Sequence, residues 1–240
     1  MAIDDALLDR AGDTGECVIR LYEWARPTLS LGRNQTARGH YDLDRARELG
    51  VDFVRRPTGG RAVLHHRELT YSVTAPAAML GSLRQSYARL NRLLLAALWR
   101  LGVAASVSPR TSRAPVPGLA PCFDTPGEGE LVLGGRKLVG SAQWRDERAF
   151  LQHGSILIDD DQELASRLLV SPAPPPPPSA TLRTALGRAP SATDLAVALA
   201  DALVTIEDAE ASALVVDDAL SRRVAAARIR FLDDQWTWRR

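Results

Sequence analysis

Two side chains carry the strongest chemical signal in these 240 residues. Cys122 sits between Pro121 and Phe123 in a loop dense in Pro, Gly and Ser, and Lys137 is the single lysine in a chain with 29 arginines. A cysteine reacts as its thiolate, and a neighbouring ammonium lowers the thiol from its ordinary value of about 8.5. Lysine differs from arginine in being a compact cation that can give up its proton, so a lone lysine suits a place where a proton is handled. The two residues are fifteen positions apart, close enough for the loop to fold back on the strand bearing the lysine. A thiolate with a cationic partner is equipment for acyl transfer. The residues alone also suit an inert loop thiol and a lysine exposed on a hairpin.

A second cluster lies earlier, in "RRPTGGRAVLHHRELTYS", Arg55 to Ser72. Gly59-Gly60 permits positive φ and close approach of backbone to a ligand. Amide N–H groups in such a turn can hold an anion or a carbonyl oxygen, with Arg55, Arg56 and Arg61 as charge-assisted donors. A plain hairpin turn with solvated arginines has the same pattern. No GxxxxGK[ST] and no complete GxGxxG occurs, so a phosphate-cradling P-loop is excluded. His65 and His66 are adjacent and face opposite sides of a strand, so they cannot form a paired metal site. His153 lies far along the chain, and neither CxxC nor HExxH is present. No metal and no cofactor is expected.

The elements that must position these groups follow from periodicity. "MAIDDALLDR" has helical spacing with Ile3, Leu7 and Leu8 on one side. "CVIRLYEW" and "PTLSLGR" read as strands, with Cys17 a small core residue. "YDLDRARELGVDFVRR" is a helix closed by Gly50, then a strand; "GRAVLHH" and "ELTYSVTAP" are consecutive strands. "GSLRQSYARLNRLLLAALWRLG" is a helix with Leu83, Tyr87, Leu90, Leu94, Leu98 and Leu101 in one stripe. "VAASVSP" is a strand, "ELVLGGRKLVGSAQW" a hairpin around Gly-Gly, and "AFLQHGSILID" a further strand. "DQELASRLLV" starts a helix. This order lacks regular strand–helix alternation and fits an α+β fold, a central mixed sheet flanked by helices. The domains expected are a catalytic core over 1–170, a proline-rich linker over 171–179, and C-terminal helices over 180–240 that pack back on the core.

Bulk properties narrow the class. The net charge of +1 gives no support for nucleic-acid or membrane-surface binding. No apolar run approaches the ~20 residues that span a bilayer. The opening ten residues carry acids and no basic n-region, so they do not read as a signal peptide. Two cysteines make no disulfide framework, and a cytoplasmic location is the expectation.

Three motifs, covering roughly residues 15 to 170, resemble the biotin/lipoate protein ligase superfamily. "RRPTGGRAVLHHRELTYSV" resembles its R-R-x-T-G-G-x-A-V-x-H signature, which forms part of the acyl pocket; this implies substrate-binding roles for Arg56, Thr58, Gly59, Gly60, Arg61 and His65. "GGRKLVGSAQ" resembles the second motif, whose lysine contacts the acyl carbonyl or its activated form, and "LQHGSILID" the third, bringing in His153 and Gly154. "PCFDTPGEGELVLGGRKLVGSAQ" is similar to the cysteine-dependent octanoyltransferase branch, down to the Cys–Lys spacing. The x-P-S-x-x-E pattern expected after its Phe-Asp reads "TPGEGE" here. "TGGRAVLH" fits the transferases better than the TGGGAVYH usual in ligases.

The resemblance implies a ping-pong reaction. Cys122, paired with Lys137, takes octanoyl from octanoyl-acyl carrier protein. It then passes the acyl group to a lysine of a lipoyl-domain protein, the glycine cleavage H protein or a 2-oxoacid dehydrogenase E2. Backbone N–H groups of a turn at Gly140, Ser141, Ala142 and Gln143 would hold the oxyanion. An ATP-dependent lipoate ligase and a non-catalytic acyl- or lipoyl-domain-binding protein are the alternatives.

Overall fold

The computed structural model describes residues 1–79, 81–109, 123, 127, 129–171 and 174–240. Alternation of apolar and polar residues builds a six-stranded antiparallel sheet in the order β1 (Val18–Tyr22), β5 (Glu68–Pro76), β9 (Ala149–Leu157), β8 (Arg136–Arg145), β7 (Leu131–Leu133), β6 (Ser106–Val107). A second sheet has β2 (Thr28–Leu31) at its centre, parallel to β3 (Asp52–Arg55) and antiparallel to β4 (Val63–His65). Helices flank both, giving an α+β fold with mixed strand pairing.

The two faces of the large sheet differ. Leu69, Tyr71 and Val73 of β5 meet Leu90, Leu94 and Leu98 of α3 (Leu83–Arg100), and α3 is covered by Leu195, Leu199 and Ala202 of α6 (Ala192–Ile206). The alternate residues Thr70, Ser72 and Thr74, with His153 and Ser155 of β9, face the other way and are buried as well. They lie beneath α1 (Ala2–Thr14) and the small sheet, which meet them with polar side chains: Asp4 accepts from Ser72, Arg20 and Tyr22, and His65 sits on Ser155. This polar seam holds the candidate site.

Several expectations need correction. Cys17 precedes β1 and is exposed rather than core, because β1 turns only Val18 fully inward. Leu83 is 45% exposed in the first turn of α3, ahead of the part that lies on the sheet; Ser82 caps that turn. On α1, Ile3 is 41% exposed while Asp4 is fully buried. The short helices α2 (Leu43–Glu48) and α4 (Glu163–Arg167) pack with the small sheet.

Past the prolines, Ser179 N–H donates to Asp160 and Ala180 N–H donates to the Lys137 carbonyl, at 2.8 and 3.0 Å. There follow α5 (Leu182–Leu186), α6, α7 (Asp218–Leu232), which lies on α1, and α8 (Asp234–Thr237), which lies on β3.

Candidate active site

The motif arginines Arg55 and Arg56 are anchored on backbone carbonyls. Arg55 is completely buried; its Nε donates to the Thr237 carbonyl at 2.8 Å and its Nη1 to the carbonyls of Gly32 and Gln35 at 2.6 and 2.8 Å. Arg56 donates to the Ser30 carbonyl at 2.7 Å, the Gly59 carbonyl at 2.8 Å and the Arg61 carbonyl at 2.7 Å. A planar guanidinium with a fork of donors is suited to gathering carbonyls that a turn leaves unpaired. Arg56 thus ties the 57–61 loop to β2, and Arg55 ties the end of β3 to the 32–35 segment and to α8. Gly60 has φ +94, and a Cβ there would lie 2.9 Å from Arg56 Nη2, so glycine is required on both counts.

Thr58 points inward from this loop, with its Oγ1 2.6 Å from His153 Nε2. Burial holds the His153 ring far below its ordinary value, at about 3, despite the opposing pull of Asp4. The ring is neutral, and its Nδ1 has no hydrogen-bond partner among the described residues. His65 and His66 part company as the strand geometry requires. His66 is exposed and pairs with Asp161. His65 is buried, its Nε2 2.7 Å from Ser30 Oγ and its Nδ1 3.2 Å from both Glu68 Oε1 and Ser155 Oγ. Trp24 stacks on the ring at 4.4 Å.

Lys137 is 3% exposed, and its Nζ is 2.6 Å from Glu130 Oε1. Phe123, the chain neighbour of Cys122, is buried with its ring centroid 4.9 Å from the same Nζ. Cys122 itself lies outside the described residues. Gly140 makes room for the lysine: a Cβ there would come within 2.9 Å of Lys137 Cε and 3.2 Å of Nζ. The 140–143 stretch, expected as a turn, is strand. It pairs with β9 from Gly140↔Ser155 to Gln143↔Gln152, whereas its register with β7 ends at Val139. One edge of this stretch is thus without a β-partner among the described residues. Ser141 Oγ lies 2.6 Å from the Tyr71 hydroxyl; Gln143 turns away to Gln152 and Ser86.

Arg56, Gly60, His65, Gly140, Ser141, Ala142, His153 and Gly154 line one cavity of ≈ 50 Å³, together with Ser30, Val63, Thr70 and Ser155. Lys137 stands at the Gly140 end of it. Gly59 and Arg61 contribute carbonyls to Arg56, Thr58 fixes His153, and Gln143 lies to the side. Four residues escaped the sequence reading. Asp4 is buried beside Arg20; burial opposes its charge, but the amino terminus and Arg20 prevail and hold the carboxyl at about 2. Ser30 and Glu68 flank His65. Glu130 was legible in principle, since it stands where the x-P-S-x-x-E pattern ends. Among the described residues no cluster of His, Cys, Asp and Glu could hold a metal ion, and no helix is long and apolar enough to cross a membrane.

The model of the lipoyl protein ligase A/B catalytic domain matches residues 1–204. Octanoyltransferase LipM of Kyrpidia tusciae is 36% identical, over 100% of this chain and 94% of its own. Octanoyltransferase LipM of Symbiobacterium thermophilum is 43% identical, over 78% of this chain and 74% of its own. Among solved structures, a bi-partite lipoate protein ligase from Thermoplasma acidophilum superposes with a TM-score of 0.78, covering 99% of this chain and 89% of that one. At 20% identity that likeness speaks for the fold alone.

Proposed function

Because this chain belongs to the lipoyl protein ligase A/B catalytic-domain family, we propose that it is an octanoyltransferase, moving octanoyl from a carrier-protein thioester to a lysine amine of a lipoyl domain by way of Cys122. The observation that carries the reading is the placement of Lys137: buried, beside the glycine-walled end of the cavity, and against the residue that follows Cys122.

In the first half-reaction the Cys122 thiolate attacks the thioester carbon. The new C–S bond forms as the carrier thiolate leaves, and the carrier takes up a proton to end as the free thiol. Lys137 as ammonium favours the attacking thiolate and faces the developing oxyanion, and the edge of β8 at 140–142, without a β-partner among the described residues, offers backbone donors. In the second half-reaction the lipoyl-domain amine attacks the Cys122 thioester, the C–S bond breaks, and the proton the amine gives up as the amide forms is taken by the Cys122 sulfur, which returns as the thiol. Glu130 holds Lys137 in position for both halves. The reaction needs no ATP and no metal, and the protein works in the cytoplasm.

The test is intact mass after mixing with octanoyl-carrier protein and no ATP. One octanoyl group should appear and be removed by neutral hydroxylamine, as a thioester is. Cys122→Ala should gain nothing and pass nothing to a lipoyl domain, whereas Cys17→Ala should do both. Transfer by Cys122→Ala that depends on ATP and free octanoate or lipoate would replace this reading with a ligase.

A further inference from the structure

Ser30, His65 and Thr70 of the cavity lining belong, with Glu68 behind them, to a polar array that none of the steps above uses. Ser30, His65 and Glu68 are joined in a row, 2.7 Å from Ser30 Oγ to His65 Nε2 and 3.2 Å from His65 Nδ1 to Glu68 Oε1. Thr70 Oγ1 donates to the same carboxylate oxygen at 2.6 Å, and Trp24 Nε1 donates to Thr70 at 2.8 Å. All of Ser30, His65, Glu68 and Thr70 are buried.

We infer that this array is the floor of the acyl cavity and sets the length of acyl chain the enzyme accepts. The inference rests on the octanoyltransferase reading, which puts the acyl carbonyl at Lys137. Gly140, Ser155 and Thr70 lie opposite one another on β8, β9 and β5, so they share a face and mark a path across three strands. Strands are about 4.8 Å apart, and His65 lies over Ser155 and Thr70. The way from the Gly140 wall to the His65 ring is therefore between one and two spacings, about 5–10 Å. An extended chain gains about 1.2 Å per bond, so the seven bonds of an octanoyl group reach about 8 Å and two further methylenes add about 2.4 Å.

The floor is stiff because it is polar. A Leu or Val floor yields by changing rotamer. Here, moving His65 separates Ser30 and Glu68 from the imidazole and leaves a buried carboxylate short of a partner; buried polar groups resist this more strongly than apolar ones resist repacking.

Ser30, His65 and Glu68 also have the connectivity of a nucleophile–base–carboxylate relay. Yet Ser30 is completely buried at the end remote from Lys137, and its Oγ already accepts from Arg56 at 3.1 Å. It meets the tail of the acyl chain rather than its carbonyl carbon.

The experiment measures kcat and KM for transfer from octanoyl-, decanoyl- and dodecanoyl-carrier protein by wild type, Ser30→Ala and His65→Ala. Wild type should prefer octanoyl over decanoyl at least tenfold in kcat/KM. Both variants should lower that ratio several-fold because decanoyl transfer rises in absolute terms, chiefly through KM, a gain that damaged folding cannot produce. Ser30→Ala removes one oxygen and decides the matter should His65→Ala fail to fold. An unchanged ratio in Ser30→Ala, equal use of both chains by wild type, or acylation of Ser30 in a Cys122→Ala background would overturn the inference. If wild type accepts no acyl group from any carrier, the transferase reading falls; calorimetric binding of free octanoate against decanoate then judges the floor by the same ratio.

Discussion

Gly140→Ala tests whether the position of Lys137, and not merely its charge, matters for catalysis. The added Cβ would stand 2.9 Å from Lys137 Cε, 3.2 Å from Nζ and 3.2 Å from Phe123 Cζ. Carbon atoms prefer about 3.5–4.0 Å, so the lysine end must retreat by about 0.6–1 Å. Lys137 is a flexible chain and can make that move at little cost to the fold. Misplacement of a catalytic group by about 1 Å costs on the order of 100-fold in rate, so acylation of Cys122 should slow about 10- to 100-fold. The melting temperature should fall by no more than about 2–4 °C, the shift expected for 1 kcal/mol in a chain of this size. Gly154→Ala is the contrasting case. Its Cβ would run into the Gly140 carbonyl and, at 2.7 Å, Tyr71 Cε1, a backbone atom and a ring buried in the core. Overpacking there should cost about 1–3 kcal/mol, or roughly 3–10 °C. Single-turnover acylation followed by intact mass, paired with thermal melts, reads both. Acylation by Gly140→Ala within about threefold of wild type would show that Lys137 acts, if at all, through long-range charge.

Two further outcomes follow from the buried charges. Arg55→Lys cannot reach the three carbonyls its guanidinium gathers and should lose about 2–3 kcal/mol in urea unfolding, while the pH profile of Cys122 alkylation stays in place; a shifted profile with unchanged stability would return Arg55 to the ligand. His153 is held neutral down to about pH 3 whereas an unfolded histidine binds its proton near 6.5, so the unfolded chain takes up more protons between those values and stability falls as the pH is lowered through that window. The contribution is up to about 1.4 kcal/mol per pH unit, and His153→Gln should flatten the decline between pH 6.5 and 4.5; parallel declines in both proteins would contradict the neutral-ring assignment.

The secondary elements were legible because their signals are local. The stripe of α3, the Gly-Gly hairpin of β7 and β8, and the alternation in "ELTYSVTAP" each lie within a few turns or one strand pair. What stayed hidden was contact over distance. Thr70, Ser72 and Thr74 alternate with apolar residues as on a strand with one face in water, yet their face is buried under Asp4 and His65, whose approach no local period announces. The same holds for the arginines of the motif. Nothing in their clustering announces the carbonyls of Ser30, Gly32 and Thr237 that lie around them. Cys17 looked like core because it adjoins an alternating run, and it falls just ahead of the point where pairing begins.

The closure between Arg55 and α8 also bears on when the protein becomes competent. Trp236 Nε1 donates to the Arg55 carbonyl and the Thr237 carbonyl accepts from Arg55 Nε, both at 2.8 Å, across separations of 181 and 182 residues. Such pairings are of high contact order and are made late in folding. On a ribosome adding about 5–20 residues per second, the loop around Gly59 and Gly60 is synthesised some 9 to 36 seconds before the segment that secures its base. During that interval a buried guanidinium lacks one of its acceptors, so the nascent chain should assemble the large sheet first and acquire an ordered acyl site as one of its final events.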